Sequence, residues 1–492
     1  MYFKQKSNII FRNYQSFGYI TDNRNFGYKL TNSSRDNIGD KIISETGSAF
    51  FSVLDKKPQT LDELVEKISH QFKDVDIVTI KNDACEFYYV LEQDGFIVSG
   101  ETVQECEAKD IRFSYKASVP ETVVNNSLSN VVHSKKDTQD FFEEYFGGKP
   151  QLTNLHIEIT GKCNERCLHC YIPHDNKINH IAPDLFYQVL EQCKNMKLLH
   201  LTISGGEPML HNNFCDFLRK CREYNFSVNV LSNLTLLNDE IIMEMKANPL
   251  LGVQVSLYSM NPDIHDKITQ VKGSFEKTKT AILKLVENDI PLQISCPIMK
   301  QNKSCIDDVI KWAGQHNIYV GDDYVIIGQY NHTTQNLNCR LSIDEVKEVI
   351  KDKVVKDKGY LERMETEAEK KRETSPDDFV CSVCNSSICI TENGNVYPCA
   401  GWQSYVVGNV KETSLCDIWA HSEKVQYLRD LRKHDFPKCV KCANKEFCTM
   451  CMVRNANESA LGDPLEVNEY FCDIAKFNRE MTLEWKENFM HD

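Results

Sequence analysis

The chain has 492 residues, 41% of them apolar, and a formal net charge of -14, which suits several packed domains rather than a disordered polymer. An acidic chain without a basic, aromatic-studded face is a poor match for phosphate backbones, no stretch reaches the roughly 18 apolar residues of a membrane span, and MYFKQKSNIIFRNYQ lacks a signal-type core. The expectation is a cytoplasmic protein with no nucleic-acid and no membrane partner, whose twenty-one cysteines serve metal or catalysis, because disulfide frameworks are rare in a reducing compartment.

Residues 4 to about 30 read as short strands broken by turns (SNIIFRN, FGYITDNRNFGYKL). Helical patterns follow in DKIISETGSAFFSVLDKK, in TLDELVEKISHQF with Thr60 as N-cap, and in IKNDACEFYYVLEQDGFIV. Together they outline a small α+β domain over 1–105. The polar stretch 106–150 reads as a linker carrying one short helix. From 151 to 340 strands alternate with amphipathic helices in six βα-type units, beginning LHIEIT, PDLFYQVLEQCKNM, HLTIS. That pattern predicts an α/β fold with a parallel sheet curled into a partial or complete barrel, functional residues gathering at the C-terminal strand ends. Residues 341–378 read as a highly charged, solvated connecting helix, and 379–492 as a cysteine-rich domain.

The loop after the first barrel strand, ITGKCNERCLHCYIP, carries Cys163, Cys167 and Cys170. A structural zinc would need a fourth ligand, for which His169 and His174 are the nearby candidates, although His169 lies within the tight loop itself. An iron-sulfur cluster on three thiolates instead leaves one iron open to a substrate or cofactor. The CxxxCxxC spacing in this position resembles the radical S-adenosylmethionine (SAM) enzymes. The resemblance implies a 4Fe-4S cluster on these cysteines with SAM as its remaining ligand, and a partial (β/α)6 TIM-like barrel around it. It is reinforced by Gly205-Gly206-Glu207-Pro208, similar to the family segment that binds the methionine amino group of SAM. By the same resemblance Ser232 and Asn233 would meet the ribose, Ser256 the carboxylate, and the backbone near Tyr171 the adenine.

The C-terminal cysteines sit in FVCSVCNSSICITENGNVYPCAGW, KCVKCANKEFCTMCMVRNANE and EYFCDIAKF. Such CxxC pairs suit zinc, but their order resembles the SPASM domain, which carries auxiliary 4Fe-4S clusters. Twelve residues separate Cys381 from Gly394 and four separate Gly394 from Cys399; Cys439, Cys442, Cys448, Cys451 and Cys472 continue the pattern. Only Thr449 and Met450 separate Cys448 from Cys451, one residue fewer than the family spacing. The family's crossed assignment implies an inner cluster on Cys381, Cys399 and Cys451, with Cys384 or Cys389 as a further ligand or an open iron in its place. An outer cluster would use Cys439, Cys442, Cys448 and Cys472, giving three 4Fe-4S clusters in all.

The N-terminal domain resembles the PqqD-type, winged-helix-like module that recognises leader peptides by β-augmentation. Taken together, the resemblances imply a maturase of ribosomally made precursor peptides, of the sactipeptide and ranthipeptide type. SAM would be cleaved reductively to methionine and a 5'-deoxyadenosyl radical, with a flavodoxin- or ferredoxin-type reductant, and a Cys sulfur-to-carbon thioether would be installed. Carbon-carbon or ether crosslinking, epimerisation, anaerobic sulfatase maturation and a non-catalytic zinc-bearing peptide scaffold are the alternatives.

Overall fold

The computed structural model describes residues 1–22, 39–110, 146–176, 179–372 and 375–489. Its strands run in chain order as β1 (Tyr2–Gln5), β2 (Ile10–Asn13), β3 (Phe17–Thr21), β4 (Asp40–Ser44), β5 (Gln59–Thr60), β6 (Ile97–Gly100), β7 (Asn154–Thr160), β8 (His200–Gly205), β9 (Ser227–Ser232), β10 (Leu251–Ser256), β11 (Leu292–Ser295), β12 (Tyr319–Gly321), β13 (Ser387–Ile390), β14 (Asn395–Tyr397) and β15 (Gly408–Asn409).

Strands β7 to β12 are parallel, each hydrogen-bonded to the next. Leu155, Ile157 and Ile159 of β7 are buried in the large core shared with the surrounding helices. Strand alternation therefore turns His156, Glu158 and Thr160 to the inner face. Among the described residues β12 pairs on one side only, so the six strands form an open arc, the partial barrel. The free edge of β7 is taken by β13, which runs parallel to it in register Ser387↔Asn154 through Ile390↔Ile157, and β14 and β15 extend the sheet antiparallel. The cysteine-rich domain thus extends the barrel wall rather than standing apart from it, and covers an edge that would otherwise expose unpaired backbone groups.

The N-terminal unit has two three-stranded sheets, β5-β1-β6 and β2-β3-β4. DKIIS is strand β4 rather than the start of a helix, since the helix begins only at Glu45, capped by Ser44; adjacent Ile42 and Ile43 are β-branched and favour the pleat. FIV of the third helical pattern likewise leaves the helix Ile77–Gln93 for β6. Thr60 does cap its helix, through a capping box with Glu63. The unit continues past 105: helix Val103–Lys109 follows β6, and Lys4 pairs with Glu107 at 2.7 Å and Asp110 at 2.8 Å. Most of the expected linker, 111–145, lies outside the described residues. The charged connector is two helices, Ile343–Lys356 and Tyr360–Arg372, and is not wholly solvated. Val346, Ile350, Leu361 and Ala368 are buried, and buried Glu365 takes Arg372 at 2.9 Å and Lys486.

The N-terminal unit docks on the barrel through Ile10, Phe17 and Tyr19, which pack on Leu199 and Leu250. Buried Arg12 donates from Nε to the Leu198 carbonyl at 2.7 Å and from a terminal nitrogen to that of Asn225 at 2.9 Å. Those barrel residues immediately precede β8, β9 and β10. The docked face is therefore the N-terminal end of the strands, opposite the loop that carries Cys163, Cys167 and Cys170.

Candidate functional site

The three-cysteine loop leaves β7 and is held from several directions by main-chain bonds. Arg166 N–H donates to the Thr269 carbonyl at 3.0 Å and Leu168 N–H to that of Ile268 at 2.9 Å, while Cys170 N–H closes a turn on the Cys167 carbonyl at 3.2 Å. Across the mouth, Gln329 Nε2 donates to the Cys170 carbonyl at 3.3 Å, Tyr330 N–H to that of Tyr171 at 3.2 Å, and Asn336 Nδ2 to that of His169 at 3.2 Å. The thiols of Cys163, Cys167 and Cys170 are partly buried neighbours; burial pushes the Cys167 thiol well up, and Glu165 and the other two cysteines act the same way.

Gly205 and Gly206 press against this loop. Gly206 N–H donates to the Thr160 carbonyl and Glu207 N–H to that of Lys162, each at 2.8 Å. A Cβ on Gly206 would stand 2.2 Å from the Lys162 oxygen, and one on Gly205, at φ +136, would stand 2.1 Å from that of Thr160. The glycines are thus required by the fit of one backbone on another. Glu207 is fully buried, and both its oxygens have protein partners: Ser232 Oγ donates to Oε1 at 2.8 Å and Met209 N–H at 3.0 Å, while Asn233 N–H donates to Oε2 at 2.8 Å. Pro208 opens the short turn Pro208–Leu210 that Glu207 caps.

Asn233 Nδ2 donates to Asn164 Oδ1 at 2.9 Å, and Asn164 in turn to Thr235 Oγ1 at 2.6 Å. The cysteine loop, Glu207, Ser232 and Asn233 are therefore one hydrogen-bonded constellation. Buried Tyr258 lies against Cys167 with its hydroxyl 3.4 Å from His169 Nε2, and Ser256 at the end of β10 lies close to that hydroxyl. Tyr171 adds a link that the sequence did not suggest: its hydroxyl donates to Glu158 Oε1 at 3.2 Å, on the inner face of β7.

The C-terminal cysteines separate into two sets. Cys381, Cys399 and Cys451 are within electrostatic reach of one another, and Cys384 is within reach of Cys381 and Cys399. Cys389 is within electrostatic reach of Cys399 and of the Glu158 carboxylate, which acts on Cys399 as well. Cys439, Cys442, Cys448 and Cys472 form the second set. A cavity of about 380 Å³ is lined by Cys381, Cys439, Cys442, Cys448, Cys451 and Cys472. Among the described residues no three Cys, His, Asp or Glu side chains converge on a single metal ion. A soft, all-thiolate donor set suits an iron-sulfur cluster as well as zinc.

Residues 157–313 match the family model of the radical SAM superfamily, 381–451 that of an iron-sulfur cluster-binding domain, SPASM, and 42–97 that of coenzyme PQQ synthesis protein D, PqqD. The chain carries radical SAM, SPASM and PqqD domains. The antilisterial bacteriocin subtilosin biosynthesis protein AlbA of Bacillus subtilis is 24% identical over 351 residues, covering 69% of this chain and 72% of that protein. The AdoMet-dependent heme synthase of Methanosarcina barkeri is 24% identical over 332 residues, covering 64% and 94% respectively. The crystal structure of Streptococcus suis SuiB bound to S-adenosylmethionine shares the fold with a TM-score of 0.57 at 15% identity, covering 95% of this chain and 99% of that one. SuiB bound to its precursor peptide SuiA gives 0.58, at 15% identity over 94% and 98%.

Within the radical SAM domain, motif spacing misses Glu158, Asn164, Thr235 and Tyr258. Glu158 had a signal, a carboxylate at an inward-facing position of an alternating strand. Asn164 and Thr235 had none, because their role depends on two loops that only the fold brings together.

Proposed function

We propose that the chain is a radical SAM peptide maturase that installs crosslinks, with Cys sulfur-to-carbon thioethers as the favoured product, in a ribosomally synthesised precursor peptide. The observation that carries this reading is the locking of the three-cysteine loop onto Gly205–Glu207 at the barrel mouth, in one chain with SPASM and PqqD domains. When bound, SAM on the Cys163, Cys167 and Cys170 cluster supplies the 5'-deoxyadenosyl radical. The chain's own residues prepare the place. Glu207 ties the Gly-Gly turn to the end of β9, leaving SAM to be held by main-chain groups of 205–207 together with the Ser232–Asn233 and Ser256 segments. Gln329, Tyr330 and Asn336 clamp the cysteine loop from above and help keep water from the reacting atoms.

Joining S–H to C–H releases two hydrogens, one as an atom to the adenosyl radical and the other as a proton and an electron. The SPASM cysteines, lying next to the barrel wall through β13, suit a carrier for that electron. We assign Cys384 to the inner set with Cys381, Cys399 and Cys451, since it is within electrostatic reach of both Cys381 and Cys399 whereas Cys389 reaches Cys399 alone. The leader would add a strand at β4, which among the described residues pairs only with β3, and a flavodoxin- or ferredoxin-type protein would deliver the first electron. AlbA and SuiB, whose names and structures tie them to subtilosin and to the precursor SuiA, support a peptide substrate.

Anaerobic purification and reduction with dithionite test the reading: the wild type should bind iron and cleave SAM, and C163A/C167A/C170A should lose cleavage while retaining leader binding. A variant that still cleaves SAM overturns the assignment. Mass spectrometry of a co-expressed precursor should find two hydrogens lost per crosslink, whereas an unchanged mass would mean epimerisation.

A further inference from the structure

Two buried guanidiniums stand beside the SPASM cysteines, and among the described residues neither is ion-paired to a carboxylate, although Asp323 lies within electrostatic reach of Arg454. Arg429, 8% exposed, donates from Nε to the Cys384 carbonyl at 2.7 Å and lies 4.2 Å over the Trp419 ring. Its outer nitrogen Nη2 is buried with no hydrogen-bond partner. Arg454, 6% exposed, lies 3.9 Å over the Phe471 ring and borders the cysteine-lined cavity. It touches Thr449 Oγ1 at 3.4 Å, in the shortened segment between Cys448 and Cys451. The contrast is Arg340 nearby, which also stacks on a ring, Tyr470 at 4.0 Å, but meets Glu458 at 2.7 Å.

A buried cation is strongly unfavourable unless an anion faces it. Around Arg429 the groups able to supply that charge are the inner thiols, with Cys384 its direct electrostatic partner; around Arg454 they are Cys448 of the outer set and, without an ion pair, Asp323, whose own carboxyl is pushed up by burial. Iron-sulfur clusters held by thiolates are anionic, and nearby charge and hydrogen bonds set their potentials. The geometry points to Arg429 and Arg454 as the counter-charges of the inner and outer clusters, each setting how readily its own cluster accepts an electron. This rests on the cluster assignment proposed above. A cation favours the more negative, reduced cluster, so its removal moves that midpoint to more negative potential.

The test uses reconstituted protein carrying C163A/C167A/C170A, in which only the auxiliary clusters remain, with iron analysis and redox titration followed by electron paramagnetic resonance. R429Q should move one of two midpoints negative and R454Q the other, and R429K and R454K, which keep the charge, should restore each. If a Gln variant instead fails to load one cluster's worth of iron while its Lys counterpart loads it, the charge is needed for assembly and the proposal stands. Unmoved midpoints in fully loaded Gln variants, the same midpoint moving in both, or equal iron loss in Gln and Lys variants would each overturn it. Absence of auxiliary clusters from the protein before any Arg substitution would sink the cluster assignment as well, which separates the two failures.

Discussion

At Gly206 the position of a single hydrogen decides whether the cysteine loop can seat. An added Cβ would be 2.2 Å from the Lys162 oxygen and 2.7 Å from that of Gly161, both backbone atoms that cannot swing aside. G206A should cost about 1–3 kcal/mol or more and lose SAM-dependent cleavage, read by denaturant unfolding and iron content; an alanine variant with wild-type stability would mean that the loop moves freely. Glu207 makes a different demand. Burial lifts its carboxyl from the usual 4.5 to about 7, although the N–H groups of Asn233 and Met209 and the Ser232 hydroxyl favour the charged form. Between those pH values the native chain keeps a proton that the unfolded chain has released. Stability should therefore fall as pH rises through the window, by roughly 3 kcal/mol at most. E207Q has no proton to lose, so its unfolding free energy should lack that slope. Parallel pH profiles for wild type and E207Q would mean that the three donors keep Glu207 ionised throughout.

At the scale of elements, what could be read from sequence and what could not follow from the range of the contacts. The cysteine loop and GGEP are local spacings, and each follows a strand marked by its own apolar alternation. The Thr60 and Ser342 caps are equally local, each with Glu three residues on. By contrast β13 is four residues, SICI, between cysteines that draw the eye to metal, and its partner β7 lies more than 200 residues earlier. No period within four residues reports such a pairing. Asp40–Ser44 failed for a related reason: a strand running straight into a helix shares its apolar residues with the helical pattern. Fully buried Ile388, paired with Leu155, is where β13 can be tested. Ile388→Pro should destabilise the joint by at least roughly 3 kcal/mol, raising hydrogen exchange along β7 and β13 together. Protection unchanged along β7 would mean that the SPASM strand is an ornament on a self-sufficient wall.

Over the whole molecule, the N-terminal unit and the three-cysteine loop sit at opposite ends of the barrel strands. Arg12, with its bonds to the Leu198 and Asn225 carbonyls and its guanidinium 5.4 Å from the Phe226 ring, fixes the unit beneath the strand N-termini. R12A leaves those buried carbonyls unmet and should weaken docking by about 1–3 kcal/mol, seen as faster exchange in β2 without loss of the unit's own fold. The three-cysteine loop lies beyond the other end of the same strands. β7 is seven residues long, about 20 Å at the rise of a strand, and an extended peptide covers at most about 3.3–3.6 Å per residue. A leader held at β4 therefore cannot present a residue to the barrel mouth unless at least about six residues intervene, and more if the peptide bends around the wall. In a precursor whose spacer is trimmed from its full length, leader affinity by fluorescence anisotropy should stay constant. Crosslinking should cease once fewer than about six residues remain, and should return when leader and core are supplied as separate peptides. Continued modification of a shorter precursor would mean that the leader binds on the mouth side of the barrel or that the N-terminal unit undocks during turnover, and combining the trimmed precursor with R12A separates these: undocking predicts faster modification by the variant, and mouth-side binding predicts no change.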